Sequence, residues 1–206
     1  MTALLARLIA FLARVASGPS VRVAGDAVCR EQCIFFANHS SHLDVVVLWA
    51  VLPAAVRART RPVAAKDYWE KTALRRFCAT RIFNAVLVER DGNLAALRQQ
   101  LDQLVAALDA GASLIIFPEG TRGSGGEVAP FRAGLHFLAR QRPQVDLVPV
   151  YLHNLGRIMP KGEFAPVPQL SRVTFGAPMR LEPHEGKDAF LERARGALVA
   201  LEWEPA

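Results

Sequence analysis

Short apolar runs alternate with stretches of helical period along most of this 206-residue chain. That alternation restricts the fold more than any other feature. Val21–Val23, Gln32–Ala37, Pro62–Lys66, Ala85–Val88, Ser113–Phe117, Val145–Val150 and Arg172–Phe175 read as strands. Between them, Leu43–Leu52 reads as an apolar helix stopped before Pro53, and Asp67–Phe77 as a helix mixing aromatic and basic residues. Leu94, Leu97, Leu101, Leu104, Val105 and Leu108 recur at helical spacing before the stop at Gly111. Arg132–Arg140 and residues 185–203 complete the helices. Strand–helix alternation of this kind predicts an α/β fold: a single domain with a mixed, mostly parallel sheet flanked by helices. No repeat or linker divides residues 19–206.

Residues 1–18 carry a separate signal. The segment 3–16 reads as an amphipathic helix with Leu4, Leu5, Leu8, Ile9, Phe11, Leu12 and Val15 on a wide apolar face and Arg7 and Arg14 opposite, ended by Ser17-Gly18-Pro19. The arginines leave no apolar run near the roughly 20 residues that span a bilayer. The helix is therefore expected to lie in a membrane interface, with packing on its own domain as the alternative.

The charge is uneven. Residues 1–90 hold 13 Lys/Arg against 6 Asp/Glu, whereas residues 91–206 hold 12 against 13. A basic half suits phosphates, an anionic membrane or nucleic acid. Aromatic residues beside basic ones in 67–77 fit a membrane interface or a single-stranded nucleic-acid site, or simply a core with a solvated face. Cys29, Cys33 and Cys78 contain no C-x-x-C pair, so neither a zinc site nor a disulfide framework is expected, and a reducing setting fits.

Chemistry concentrates where the strand 32–37 gives way to Asn38-His39-Ser40-Ser41-His42-Leu43-Asp44. Five residues apart, His39 and Asp44 would lie about 140° apart on one helix, but they can pair if His39 sits in the turn and Asp44 in the first helical turn. Ser41 is then the expected N-cap and Asp44 the third helical residue, a pattern that also serves backbone capping alone. His39, His42 and Asp44 are possible metal ligands, although no further His lies close in sequence. A Ser40 or Ser41 nucleophile lacks a G-x-S-x-G elbow. The second constellation is Phe117-Pro118-Glu119-Gly120-Thr121-Arg122, after another apolar strand. Arg122 can offer a planar fork to phosphate, and Gly120 lets the backbone approach a ligand. If the two strands run parallel, both motifs face one crevice, and Arg90, ending a third strand, can join them.

Together, H-x4-D at His39–Asp44 and F-P-E-G-T-R at 117–122, about 75 residues apart, resemble the lysophosphatidic-acid acyltransferases of the glycerophospholipid acyltransferase superfamily. Val86–Arg90 is similar to the family's arginine-bearing second block, Leu147–Val150 to its fourth, and Phe131-Arg132-Ala133-Gly134 to its F-K-x-G. The resemblance implies acyl transfer from acyl-CoA or acyl carrier protein to a lysophospholipid hydroxyl, foremost 1-acylglycerol-3-phosphate. It implies His39 as general base oriented by Asp44, with no metal or other cofactor. Arg90, Glu119, Gly120, Thr121, Arg122 and Arg132 are implied at the acceptor site, and Pro149 in a block tied to acyl binding. A peripheral or monotopic place on the cytoplasmic face of a membrane follows. Glycerol 3-phosphate and lyso-ornithine lipid are alternative acceptors. A non-catalytic binder of anionic membranes or nucleic acid and a metal-dependent hydrolase are the rival classes.

Overall fold

The computed structural model describes residues 2–24, 32–89, 93–123, 127–158 and 170–202. Seven strands form one sheet: β1 Ser20–Val23, β2 Cys33–Ala37, β3 Thr60–Ala65, β4 Val86–Val88, β5 Ser113–Ile116, β6 Asp146–His153 and β7 Arg172–Phe175. Their order is β1-β7-β6-β2-β5-β3-β4. The run β6-β2-β5-β3-β4 is parallel, β7 is antiparallel to β6, and β1 is parallel to β7. The sheet is thus mixed and mostly parallel, as the alternation of elements predicts.

Helices cover both faces. Every residue of β2 and β5 is buried, as central parallel strands require. Successive side chains on β2 enter opposite cores. Cys33, Phe35 and Ala37 join the layer built by α1 (Thr2–Ser17) and α2 (Asp44–Val51), while Ile34 and Phe36 join that of α6 (Leu94–Asp109), α7 (Gly134–Gln141) and α9 (Lys187–Ala200). Apolar on every side, α2 is sandwiched between the sheet and α1.

Several elements depart from the sequence reading. The single helix over 67–77 is two short ones, α4 Lys66–Trp69 and α5 Ala73–Phe77, with Thr72 capping the second by accepting from the Arg75 amide. A π-helical turn, Cys78–Ile82, follows. The helices α3 (Ala54–Arg59) and α8 (Leu155–Ile158) have too few residues for a periodic signal. Pro149 sits inside β6 because its missing N–H falls in a gap of the β7 pairing: its carbonyl accepts from Gly176, and the next bridge is Leu147–Met179. Cys78 is a free thiol, but Cys33 is disulfide-bonded, against the expectation of none.

The faces of α1 are the larger correction. Small residues point inward: Ala10 and Ala13 are buried and Ser17 is fully so, which lets α1 and α2 approach closely. Leu4, Leu8, Phe11, Leu12 and Val15 point outward, with Leu4 76% and Phe11 63% exposed. At 100° per residue these two sets centre about 180° apart, with Arg7 and Arg14 along one flank. Helix α1 therefore packs on its own domain through small side chains, the alternative the sequence left open, without using its bulky apolar face for it.

Candidate active site

Parallel pairing of β2 with β5, Phe36 beside Ile116, makes both chains leave the sheet at the same edge. His39 and the 117–123 turn therefore meet, as the two motifs require. The His39 ring lies stacked on Phe117, with centroids 4.3 Å apart. Its Nδ1 is 2.8 Å from Asp44 Oδ2. That same oxygen accepts from the amides of Ser40 at 2.6 Å and Ser41 at 2.8 Å. Asp44 is fully buried, while the His39 side chain keeps 16% of its surface exposed. The two local readings of Asp44 are both realised, because one oxygen orients the ring and also holds the turn. Ser41, however, is not the N-cap. The helix begins at Asp44 after Leu43, which makes no side-chain cap bond, and Ser41 Oγ instead accepts from the Leu43 amide.

The turn 117–123 is fixed by its own bonds. The Gly120 amide donates to the Phe117 carbonyl, and Gly120 takes φ +73°, where a side chain is strained. A Cβ there would also collide with the Arg132 guanidinium. Arg132 braces the turn: its amide donates to Pro118 O and its Nε to Glu119 O at 3.2 Å. Glu119 is buried, and its carboxylate accepts from the His39 amide at 2.7 Å and the Ala129 amide at 3.0 Å. The Gly123 amide completes the tie by donating to the His39 carbonyl. Glu119 and Arg132 thus act on the loops, whereas Arg122 is half-buried and Thr121 exposed.

Three cavities converge on His39. One of about 170 Å³ has Arg122, Lys71, Asp67 and the aromatic rings of Tyr68 and Trp69 among its walls. His42 stacks on Tyr68 in the same wall, and the Arg75 guanidinium lies 4.4 Å from the centre of the Tyr68 ring. A second, about 210 Å³, is largely apolar, with Val63, Val88, Leu104, Leu135 and Leu138 lining it and Arg132 beside them. A third, about 290 Å³, is polar and runs past Asn38, Tyr151, His153 and Arg157. Burial, with the Glu202 carboxylate beside it, pushes the Tyr151 phenol well above its usual range; burial, then Arg172, lowers His153.

His39, Asp44, Glu119, Gly120, Arg122 and Arg132 are brought together. Arg90 lies outside the described residues, although β4 ends at Val88 on the same edge. Pro149 lines none of these three cavities. Among the described residues no group of three His, Cys, Asp or Glu is placed to hold a metal, and the His42 ring stacks on Tyr68. The sequence left Lys71 and Tyr68 to a membrane interface, a nucleic-acid site or a core with a solvated face, and the structure has them lining this crevice. The break between α4 and α5 turns Lys71 toward the crevice, and its signal was the interleaving of basic and aromatic residues around it.

The crevice thus lies at the carboxyl edge of the parallel part of the sheet, with His39 paired to Asp44 beside the turn that carries Arg122. Residues 20–153 match the family model described as Acyltransferase, and the chain belongs to that family. Among curated proteins it is 27% identical over 153 residues to a 1-acyl-sn-glycerol-3-phosphate acyltransferase of Limnanthes douglasii, covering 73% of this chain and 52% of that protein. A protein of the same name from Pseudomonas aeruginosa is 26% identical over 187 residues, covering 90% and 69%. The chain spans about half the length of the plant relatives it matches. The crystal structure of the 1-acyl-sn-glycerophosphate (LPA) acyltransferase PlsC from Thermotoga maritima shares the fold, with TM-score 0.69 at 20% identity over 96% of this chain and 81% of that one. The family resemblance read from the two motifs is borne out.

Proposed function

We propose that this protein transfers a fatty acyl group from an acyl thioester, acyl-CoA or acyl carrier protein, to the free hydroxyl of 1-acylglycerol-3-phosphate. The observation that carries this reading is the 2.8 Å contact of His39 Nδ1 with buried Asp44, at a point where an apolar and a cationic cavity meet. With Nδ1–H donated to the carboxylate, Nε2 carries the lone pair. An alcohol is a weak nucleophile at neutral pH, so Nε2 removes its proton as it attacks the thioester carbonyl. The new C–O bond forms, the C–S bond breaks, and the imidazolium returns its proton to the departing thiolate. Asp44 stabilises the imidazolium meanwhile. The nucleophile belongs to the substrate, so neither an acyl-enzyme nor a metal enters. Arg122 and Lys71 grip the phosphate and fix the hydroxyl near Nε2, and the apolar cavity takes the donor's chain. Arg90 is proposed to join the phosphate grip; Thr121 and Gly120 shape its turn. The names of the relatives support this acceptor over glycerol 3-phosphate or lyso-ornithine lipid. The experiment is a panel of these three acceptors with an acyl-CoA donor and thiol release as readout. Release independent of any acceptor would overturn the reading.

Arg122→Ala is expected to raise the acceptor KM by roughly 10-fold or more, the loss of one charge-assisted contact, with a smaller change in kcat. An unchanged acceptor KM would remove Arg122 from the phosphate grip.

No helix among the described residues is long and apolar enough to cross a membrane. We propose that α1 instead lies on the membrane through Leu4, Leu8, Phe11, Leu12 and Val15, joined by exposed Leu74 and Phe77 of α5. A Leu8→Glu/Phe11→Glu variant should lose sedimentation with phosphatidylcholine vesicles yet keep turnover on micellar substrate. Vesicle binding equal to wild type would eliminate α1 as the docking face.

A further inference from the structure

A fourth cavity, about 570 Å³, opens far from His39. It reaches Thr60, at the amino-terminal end of β3, whereas the cavities around His39 reach Ala65 at the carboxyl end. Among the described residues its walls carry Arg7, Arg57 and Arg81 and no acidic side chain, with Trp49 and Phe83 in T-shaped contact between them.

These arginines are arranged rather than scattered. Arg57 Nη1 donates to the carbonyls of Ala50 at 3.1 Å and Leu52 at 3.3 Å, and its guanidinium lies 5.2 Å from the centre of the Trp49 ring. Arg14 donates to the same Ala50 carbonyl through Nε and Nη2. That carbonyl belongs to the last turn of α2, whose orphan acceptors and dipole attract cations. Burial, then the like charges of Arg14 and Arg7, lowers the pKa of Arg57. The opposite wall is the π-helical turn Cys78–Ile82, followed by Asn84 at φ +47°.

We propose that this cavity binds the phosphate headgroup of an anionic bilayer phospholipid, as a site separate from the catalytic crevice. A cluster of guanidinium groups without a carboxylate demands an anion, and guanidinium forks match phosphate oxygens. The ligand's source follows from position. Arg7 lies on the flank of α1, between its buried small face and its exposed apolar face, at the level where headgroups meet acyl chains. The inference rests on membrane docking through α1 and adds lipid-charge selectivity to it.

The test uses the whole chain with two vesicle types, phosphatidylcholine alone and an equal mixture with phosphatidylglycerol. Wild-type protein should partition onto the mixed vesicles at least about 10-fold more strongly, since each cation near an anionic surface contributes several-fold. Arg7→Gln/Arg81→Gln changes two exposed side chains and should lose most of that preference, while binding to phosphatidylcholine and turnover on micellar substrate stay at wild-type levels. Arg98→Gln/Arg140→Gln removes equal charge from α6 and α7 and should keep the preference. Loss of preference in both variants would make it diffuse charge, and retention in both would empty the cavity of this role. Wild-type binding to neither vesicle would remove α1 docking and the headgroup site together. Equal binding to both would remove only the headgroup site.

Discussion

His39→Ala should reduce acyl transfer by about 10²- to 10⁴-fold or to background, the usual contribution of a positioned base, while leaving a folded protein. The ring makes one hydrogen bond and one stack, on Phe117, and 16% of its surface is exposed, so its removal leaves little unfilled core. The Asp44 oxygen it leaves still accepts from the Ser40 and Ser41 amides. A stability loss of about 1–3 kcal/mol follows from the unpaired charge. Thiol release and a thermal melt on the same sample decide the matter. Wild-type turnover by a folded His39→Ala protein would sink the base assignment and leave the crevice a binding site.

Asp44→Asn tests the other half of the pair, and its effects divide differently. Three N–H groups converge on one Asp44 oxygen, and among the described residues the buried Oδ1 has no hydrogen-bond partner. An amide oxygen can replace the acceptor, but the NH2 then occupies the place of Oδ1 without an acceptor. The anion that stabilises the imidazolium is also gone. The expected result is a kcat loss of roughly 10³-fold with an acceptor KM within about 3-fold of wild type, plus about 1–3 kcal/mol of destabilisation. If KM rises in step with the fall in kcat/KM while kcat holds, Asp44 serves only the shape of the turn.

The frame of this protein was legible because it rests on periodicity. Central parallel strands must be apolar on both faces, and Cys33–Ala37 and Ser113–Ile116 are. The shared crevice followed from parallel exit of the two motifs. What escaped were decisions made by tertiary contacts. Periodicity marks apolar faces without saying which one meets the protein, so the alanines of α1 were passed over as the inward set. Ser41 looked like a cap because helix starts are read from residue type, yet Asp44 Oδ2 had already gathered the turn's amides. The bonds by which Glu119 and Arg132 brace the loops were invisible for the same reason: their chain partners, His39, Ala129 and Pro118, are distant or unremarkable in sequence. Thr72 could have warned of the break in 67–77, since it is a good N-cap within a polar run.

The Glu119 carboxylate spans two loops, taking the amide of His39 with one oxygen and that of Ala129 with the other, while Gly123 donates back to His39. The proposed base, His39, and the proposed anion grip at Arg122 are therefore mechanically one part. A mutation in the 117–123 turn that shifts Arg122 also shifts His39, so on the proposed mechanism the distance between proton acceptor and phosphate is inherited as a fixed gauge. New acceptors are more readily reached by reshaping the cavity walls at α4, α6 and α7, which lie outside this brace. Diversification in this scaffold should accumulate there, with the ruler between base and phosphate left at its length.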